Sequence, residues 1–266
     1  MQPDRKALTM TALALSYDEA PAPAGPSVVS AEGLVRRYGE GAMAVEALAG
    51  VSLDIEAGRM TAIMGPSGSG KSTLMHLLAG LDMPTEGSIL LDGTELSGLS
   101  ERKLTLLRRD TIGFVFQFFN LLPMLTAEEN ITLPLAIAGE KPEPEWLEEL
   151  LRTVGIADRR KHRPAELSGG QQQRVAVARA LVTKPKVIFA DEPTGNLDSQ
   201  SSKDVLALLR RAVDEWGQTI VMVTHDAGAA ARADRILFLA DGKIVRDLEE
   251  STAAEVLAAM QEVSSR

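Results

Sequence analysis

Short apolar runs alternate with segments of helical periodicity along most of the chain. The runs at 61–64, 111–116, 186–190 and 219–224 predict buried strands, because each combines apolar and β-branched or aromatic residues over strand length. The third run is apolar at every position after its first residue, which is typical of a strand covered on both faces in a parallel sheet. These strands and the helical segments between them predict an α/β fold with a mostly parallel sheet.

The pattern differs in the flanking regions and in the middle of the chain. Residues 27–56 hold short β-prone runs broken by glycines, which predicts an N-terminal antiparallel β subdomain. Capping signals and amphipathic spacing in about 117–180 predict a helical subdomain. The turn at 241–242 predicts a closing hairpin, and residues 251–266 a C-terminal helix. We therefore expect one main domain at 27–250 that contains both subdomains.

Composition narrows the classes of protein. The chain has 266 residues, enough for one large domain with a subdomain and an ample core. It has no cysteine and only three scattered histidines, which excludes disulfides, thiolate metal sites and clustered histidine ligands. The net charge of −9 argues against nucleic acid as a partner, since phosphate backbones are bound by excess lysine and arginine. The longest uncharged stretch, 111–127, is interrupted by polar residues and too short to span a membrane.

The first 26 residues have a composition of their own. Two early basic residues, a short apolar stretch and alternating Pro and Ala partly imitate a secretory signal, but Thr9 and Thr11 interrupt the apolar part. We expect a disordered N-terminal extension at 1–26 instead.

The most informative stretch follows the first predicted buried strand and opens a helix. It matches the phosphate-binding pattern G-x4-G-K-[ST]. Its glycines let backbone N–H groups point at one spot, and the helix N-terminus adds unpaired N–H groups and a positive dipole end. We expect a polyphosphate as ligand, with Lys71 over the β- and γ-phosphates and the Ser72 hydroxyl on a Mg²⁺ ion. The stretch consists of Gly65, Pro66, Ser67, Gly68, Ser69, Gly70, Lys71, Ser72 and Thr73.

Polar residues follow three other predicted strands. Gln117 follows one run, Asp191 and Glu192 the next, and His225 the last. Because the carboxyl ends of parallel strands meet at one edge, we expect these side chains to surround the bound phosphate. Successive side chains point to opposite sides, so one carboxylate can face the Mg²⁺ ion and its neighbour the attacking water. The alternatives are a buried structural histidine and a solvated acidic pair.

Two further features have two interpretations each. Ser168 and Gln171 have capping-box spacing, with Gly169 and Gly170 between them, at the start of a strong helix. This is either a second anion-binding helix start or an ordinary N-cap. Tyr38 precedes a glycine at a predicted turn, where its ring either stacks on a base or lies on the surface.

An apolar segment follows Gln117. Residues 118–125 are too apolar for an ordinary loop, so they are either core or a docking surface for another protein.

In this order the motifs resemble those of the ATP-binding-cassette (ABC) ATPases, over about residues 28–250. The matching series is the phosphate loop at 65–72, a glutamine loop at Gln117, a signature at 167–171, the acidic strand end at 191–192, an aspartate loop at Asp198 and a switch histidine at His225. Tyr38 matches the position of the family's aromatic loop. The sequences at 113–117, 120–123 and 191–198 resemble the branch that serves lipoprotein release and the export of macrolides or antimicrobial peptides. The fold that the resemblance implies is a P-loop NTPase core with the two predicted subdomains.

The resemblance implies that two copies act together. Ser168, Gly169 and Gly170 would grip the γ-phosphate of ATP bound to the other copy, so that a homodimer sandwiches two ATP molecules head to tail. Gln171 and Asp198 would belong to the nucleotide-binding residues.

The resemblance also implies roles around the metal and the reacting phosphate. Ser72 and Gln117 would hold Mg²⁺, with Asp191 acting through water. The implied catalytic residues are Glu192 as general base, His225 on the γ-phosphate, Gln117 and Lys71.

A membrane permease subunit is the other implied partner. It would dock near 117–125 and hold the chain at the cytoplasmic face of the cell membrane. The first functional hypothesis is therefore the ATPase subunit of an exporter or lipoprotein-releasing complex. The alternative resembles the cell-division ABC system, in which ATP cycling moves a membrane partner that activates cell-wall hydrolases without transport. The single cassette and the acidic charge disfavour a soluble DNA-repair or translation protein.

Overall fold

The computed structural model describes residues 25–39 and 41–265. Residues 1–24 of the predicted N-terminal extension lie outside this part of the chain. The strands are β1 Ser27–Tyr38, β2 Val45–Glu56, β3 Met60–Met64, β4 Glu86–Leu91, β5 Thr94–Glu95, β6 Ile112–Phe116, β7 Val187–Asp191, β8 Thr219–Val223, β9 Arg235–Ala240 and β10 Lys243–Glu249. The α-helices are α1 Lys71–Leu78, α2 Glu101–Thr111, α3 Ala127–Ala138, α4 Pro144–Thr153, α5 Gly169–Leu181, α6 Ser199–Trp216, α7 Ala227–Ala230 and α8 Ala253–Ser264.

The larger sheet has the strand order β10-β9-β3-β8-β7-β6. Its strands from β9 to β6 are parallel, and β10 closes the edge in an antiparallel hairpin with β9. Alternate residues of β3 belong to different cores: Ile63 packs with α1 and the smaller sheet, whereas Ala62 and Met64 pack with the helices on the opposite face. Coverage of both faces explains why β7 is apolar and buried at every position from 187 to 190. The predicted α/β fold with a mostly parallel sheet is confirmed.

The smaller sheet has the order β2-β1-β4-β5 and is antiparallel. It confirms the antiparallel patch predicted for 27–56 and adds the hairpin of β4 and β5. Helix α1 packs between the two sheets through Leu74, Met75, Leu77 and Leu78, all of which are buried. The helix that follows the phosphate loop is therefore held on two sides.

Helices α3, α4 and α5 fall largely within 117–180, where the sequence predicts a helical subdomain, and α3 packs against α5. Helix α3 begins with a complete capping box of Thr126 and Glu129. Buried Asn130 donates to the carbonyl of Leu125 and accepts from the N–H of Leu122, so it holds the preceding loop. No helix in the described ranges is long and apolar enough to cross a membrane.

Candidate nucleotide-binding site

The phosphate loop joins β3 to α1, as predicted. Gly65, Gly68 and Gly70 have φ values of +150°, +79° and +102°. A Cβ at Gly65 would overlap the carbonyl oxygen of Leu239, and one at Gly70 would overlap that of Ala47. Glycine is therefore required by backbone conformation and by space, because β9 and β2 press directly on the loop.

Lys71 lies against the loop that it follows. Its Nζ donates to the carbonyl oxygens of Gly65 at 3.0 Å and Pro66 at 2.8 Å. Burial lowers the pKa of Lys71, while the charges of Glu192 and Asp191 oppose that shift. Lys71 therefore lies close enough to Asp191 and Glu192 for their charges to act on it.

The acidic pair and the histidine meet at the carboxyl edge of the sheet. His225 Nδ1 lies 2.8 Å from Glu192 Oε1. Glu192 has a φ of +46°, which is strained for a residue with a side chain, and its N–H donates to the carbonyl of Val223 at 2.9 Å. The side chain of His225 is 70% exposed, so this is not a buried structural histidine.

Asp191 has a more enclosed position at the end of β7. Burial raises its pKa and the charge of Glu192 adds to this shift, while His76 and Lys71 lower the pKa. A bound cation near Asp191 would offset both the burial of this carboxylate and its repulsion by Glu192.

Gln117 is tied to a residue that sequence reasoning missed. Asn196 Nδ2 donates to the backbone oxygen of Gln117 at 3.1 Å, and Gln117 Nε2 lies 3.4 Å from Asn196 Oδ1. A Cβ on Gly195 would lie 2.7 Å from Gln117 Nε2, so the glutamine side chain packs on this glycine. Because a carbonyl only accepts, Asn196 turns its amino group to the backbone and its oxygen to Gln117. The side-chain oxygen of Gln117 then faces away from Asn196, free to contact a cation.

The signature begins α5 as an N-cap. Ser168 Oγ accepts from the N–H of Gln171 at 3.2 Å, and Gln171 Oε1 accepts from the N–H of Ser168 at 2.9 Å. Ser168 and Gly169 are exposed, whereas Gly170 is buried against Ser201 of α6. The capping function is thus present, and the helix start still faces outward. Within 25–39 and 41–265, no hydrogen bond or ion pair joins this signature to the phosphate loop.

Asp198 is the N-cap of α6. Its carboxylate accepts from the N–H of Gln200 at 3.0 Å and of Ser201 at 2.9 Å, and from the Ser201 hydroxyl at 2.6 Å. The hydrogen bond from the Ser201 side chain is the main reason that its pKa lies below the ordinary value. The aspartate loop is therefore attached to the residue that packs on Gly170.

Tyr38 ends β1 and is 41% exposed. Its hydroxyl donates to Asp82 Oδ2 at 2.9 Å, and the guanidinium carbon of Arg36 lies 4.5 Å from the ring centroid. The sequence placed this tyrosine at a turn, and Arg36 shares its face because it lies two residues earlier on β1, but nothing in the sequence indicated the contact with Asp82.

A family model described as ABC transporter matches residues 48–195. The chain belongs to the ABC transporter family. The cassette is 48% identical over 220 residues to the "Macrolide export ATP-binding/permease protein MacB" of Bdellovibrio bacteriovorus, a match that covers 83% of this chain and 34% of the relative. It is 47% identical over 221 residues to the "Lipoprotein-releasing system ATP-binding protein LolD" of Bordetella avium, covering 82% of this chain and 96% of the relative. The chain thus spans about a third of the length of the MacB relatives.

Solved structures agree with this family. The ATP-binding cassette MJ0796, described as a dimeric post-hydrolysis state bound to ADP and Pi, has a TM-score of 0.75 and 42% identity, over 84% of this chain and 99% of that chain. The predicted family, branch, fold class and ATPase class are confirmed.

Proposed function

We propose that the cassette is the ATP-hydrolysing subunit of a membrane export or lipoprotein-releasing system and works as a head-to-tail homodimer. The supporting observation is that one chain carries two outward helix starts suited to phosphate, at α1 and α5, with no direct bond between them in the described residues. A second copy could supply the signature missing at each phosphate loop. The relatives named for macrolide export and lipoprotein release support the class of cargo.

The donor set suits a magnesium ion beside the phosphates. The Ser72 hydroxyl, the Gln117 amide oxygen and the Asp191 carboxylate are the hard oxygen donors that Mg²⁺ prefers. Within the described residues, no group of three His, Cys, Asp or Glu side chains could hold a metal, so phosphate and water oxygens would complete the coordination. When bound, the ion would neutralise charge on the phosphates.

Glu192 would act as the general base. One of its carboxylate oxygens is engaged by His225 Nδ1, which leaves the other to accept a proton from water. An imidazolium at His225, which donates from both ring nitrogens, would bond Glu192 through Nδ1 and the γ-phosphate through Nε2. Lys71 would add a positive charge at the β- and γ-phosphates.

We further propose that 117–125 is the docking surface for the permease subunit, which would hold the cassette at the cytoplasmic face of the membrane. Phe118 is 73% exposed and Met124 68% exposed, which favours a docking surface over core. A groove of about 450 Å³ beside this loop is lined in part by Leu81, Arg108, Phe116, Pro134 and Arg179.

The docking loop is also bonded to the signature helix. Arg179 of α5 donates to the carbonyl oxygens of Phe119 at 2.9 Å and Asn120 at 2.6 Å. Phe119 and Asn120 have positive φ values, +58° and +50°, so the loop is held in a strained conformation. A shift of the loop by the permease would therefore act on α5 and on the signature at its start.

The substitution Glu192→Gln tests the proposal. It retains the hydrogen-bonding shape but removes the base, so turnover should fall about 10²- to 10⁴-fold while ATP binding persists. Gel filtration with and without MgATP should show a dimer only with nucleotide. The control Glu215→Gln makes the same chemical change at an exposed residue of α6 paired with Arg211 and should leave turnover unchanged. An ATP-bound Glu192→Gln variant that stays monomeric would rule out the sandwich dimer.

A further inference from the structure

The side chains of Tyr38, Arg36 and Asp82 form a closed set of contacts. The Arg36 guanidinium lies over one face of the ring, with its carbon 4.5 Å from the centroid. Asp82 accepts from Arg36 Nη2 through Oδ1 at 2.8 Å and from the Tyr38 hydroxyl through Oδ2 at 2.9 Å. The carboxylate therefore holds both the cation above the ring and the tip of the ring.

This arrangement leaves the ring one usable face. Arg36 covers one side and the hydroxyl bond restrains rotation, so the exposed part of Tyr38 lies on the other side. Val45, its cross-strand partner on β2, and nearby Met43 are also exposed. An open aromatic face bordered by apolar side chains is suited to stacking on a nucleobase.

The same contacts attach the ring to both elements that border the phosphate loop. Asp82 follows α1, and its N–H donates to the carbonyl of His76 in that helix at 3.3 Å. On the other side, β2 continues from Val45 to Ala47, whose carbonyl oxygen presses on Gly70. The platform and the phosphate loop are therefore held at a fixed separation by α1 and β2.

Hydrogen bonding alone does not explain the position of Arg36. Within the described ranges its Nε is buried without a hydrogen-bond partner, which is costly for a polar group. Contact with the ring of Tyr38 therefore accounts for part of what holds the guanidinium in this position.

We propose that Arg36 and Asp82 are positioning residues that hold Tyr38 as a one-sided platform for the adenine of ATP. Neither residue contacts the base itself: Arg36 supports the ring from behind, and Asp82 fixes its hydroxyl. The proposal rests on the ATP-binding function proposed above and deepens it by naming the residues that position the ring on which the base would stack.

The experiment compares two ligands, ATP and inorganic tripolyphosphate, by equilibrium titration of the full chain. Tripolyphosphate shares the phosphates but has no base, so only ATP affinity depends on the platform. Arg36→Met, which retains length without the planar cation, should weaken ATP binding about 5- to 10-fold and leave tripolyphosphate binding unchanged. Asp82→Asn should likewise weaken ATP binding and leave tripolyphosphate binding unchanged.

Arg37→Met is the matched control. Arg37 is the next residue of β1 and forms two ion pairs of its own at 2.8 Å, with Glu46 and Glu86 rather than with the ring. This variant should leave the affinity for both ligands within about 2-fold, as expected for exposed ion pairs.

A double-mutant cycle separates positioning from direct contact. If Arg36 acts through the ring, Arg36→Met should cause no further loss of ATP affinity in a Tyr38→Ala background. Additive losses, or equal losses for ATP and tripolyphosphate, would overturn the proposal. Should Arg36→Met fail to fold, the same cycle is measured with Asp82→Asn in the wild-type and Tyr38→Ala backgrounds, and the same outcomes for ATP affinity apply. Failure of the wild-type chain to bind ATP would instead overturn the proposed function, whereas equal affinity of that chain for ATP and tripolyphosphate would overturn only the platform.

Discussion

At the scale of single residues, Lys71 has hydrogen-bond partners of its own within the phosphate loop. Its ammonium group is half-buried and satisfied by two carbonyls of the loop, and burial lowers its pKa. Phosphate oxygens offer a stronger, charge-assisted partner than carbonyls do. In the proposed function, nucleotide binding would therefore exchange the carbonyl partners of Lys71 for phosphate oxygens.

Lys71→Ala should reduce nucleotide affinity roughly 10- to 100-fold, since a hydrogen bond to a charged group contributes about 1.5–3 kcal/mol. Titration with ATP measures this effect. Lys186→Ala is the control, because Lys186 is exposed and has a distant ion pair with Asp92 at 3.7 Å. Unchanged ATP binding by Lys71→Ala would contradict the assigned role.

The position of Gln117 could be predicted from the sequence, but its pairing with Asn196 could not. Gln117 was placed at the sheet edge correctly, because its position after an apolar run is a local signal. Its partner Asn196 is 79 residues away. No spacing rule links two loops that meet only because β6 and β7 are neighbours in the sheet.

At the scale of elements, the close approach of α5 to α6 explains the second signature glycine. A Cβ at Gly170 would lie 2.6 Å from Ser201 Oγ and 2.8 Å from Ser201 Cβ, whereas one at Gly169 would have only ordinary contacts at 3.8 Å. Gly170 therefore sets the distance between the signature helix and the helix capped by Asp198.

Gly170→Ala should destabilise the chain by about 1–3 kcal/mol, the usual cost of overpacking. Gly169→Ala, its neighbour with open space, should have little effect on stability. Chemical denaturation without nucleotide compares the two, and equal midpoints would show that the two helices separate easily.

At the scale of the whole molecule, the arginine of a nearly buried ion pair connects the two sheets. Arg235 of β9 donates to Asp247 of β10 at 2.6 Å and to the backbone oxygen of Asp54 on β2 at 2.8 Å. Both side chains are almost inaccessible to water. One guanidinium thus joins the antiparallel sheet to the edge of the larger sheet.

Asp247→Ala should cost about 3–5 kcal/mol of the free energy of unfolding, because it leaves the Arg235 charge buried and unpaired. Urea denaturation measures the loss. Glu215→Ala removes one partner of an exposed pair on α6 and should cost no more than about 0.5 kcal/mol. Similar small losses in both variants would show that water reaches Arg235.

The sequence by itself determined what depends on neighbours along the chain. The phosphate loop, the capping boxes of α3 and α5 and the buried strands are local patterns, since backbone conformation, helix ends and strand burial are encoded within a few residues. The order of motifs was enough to indicate the family, which the comparisons confirmed.

Only the tertiary structure decided which distant residues meet. The carboxylate of Asp82 that anchors Tyr38, the amide that holds Gln117, and the serine that requires Gly170 all come from other segments of the chain. The physical reason is that such contacts follow from strand order and helix packing, which bring together residues whose separation along the chain carries no periodic signal.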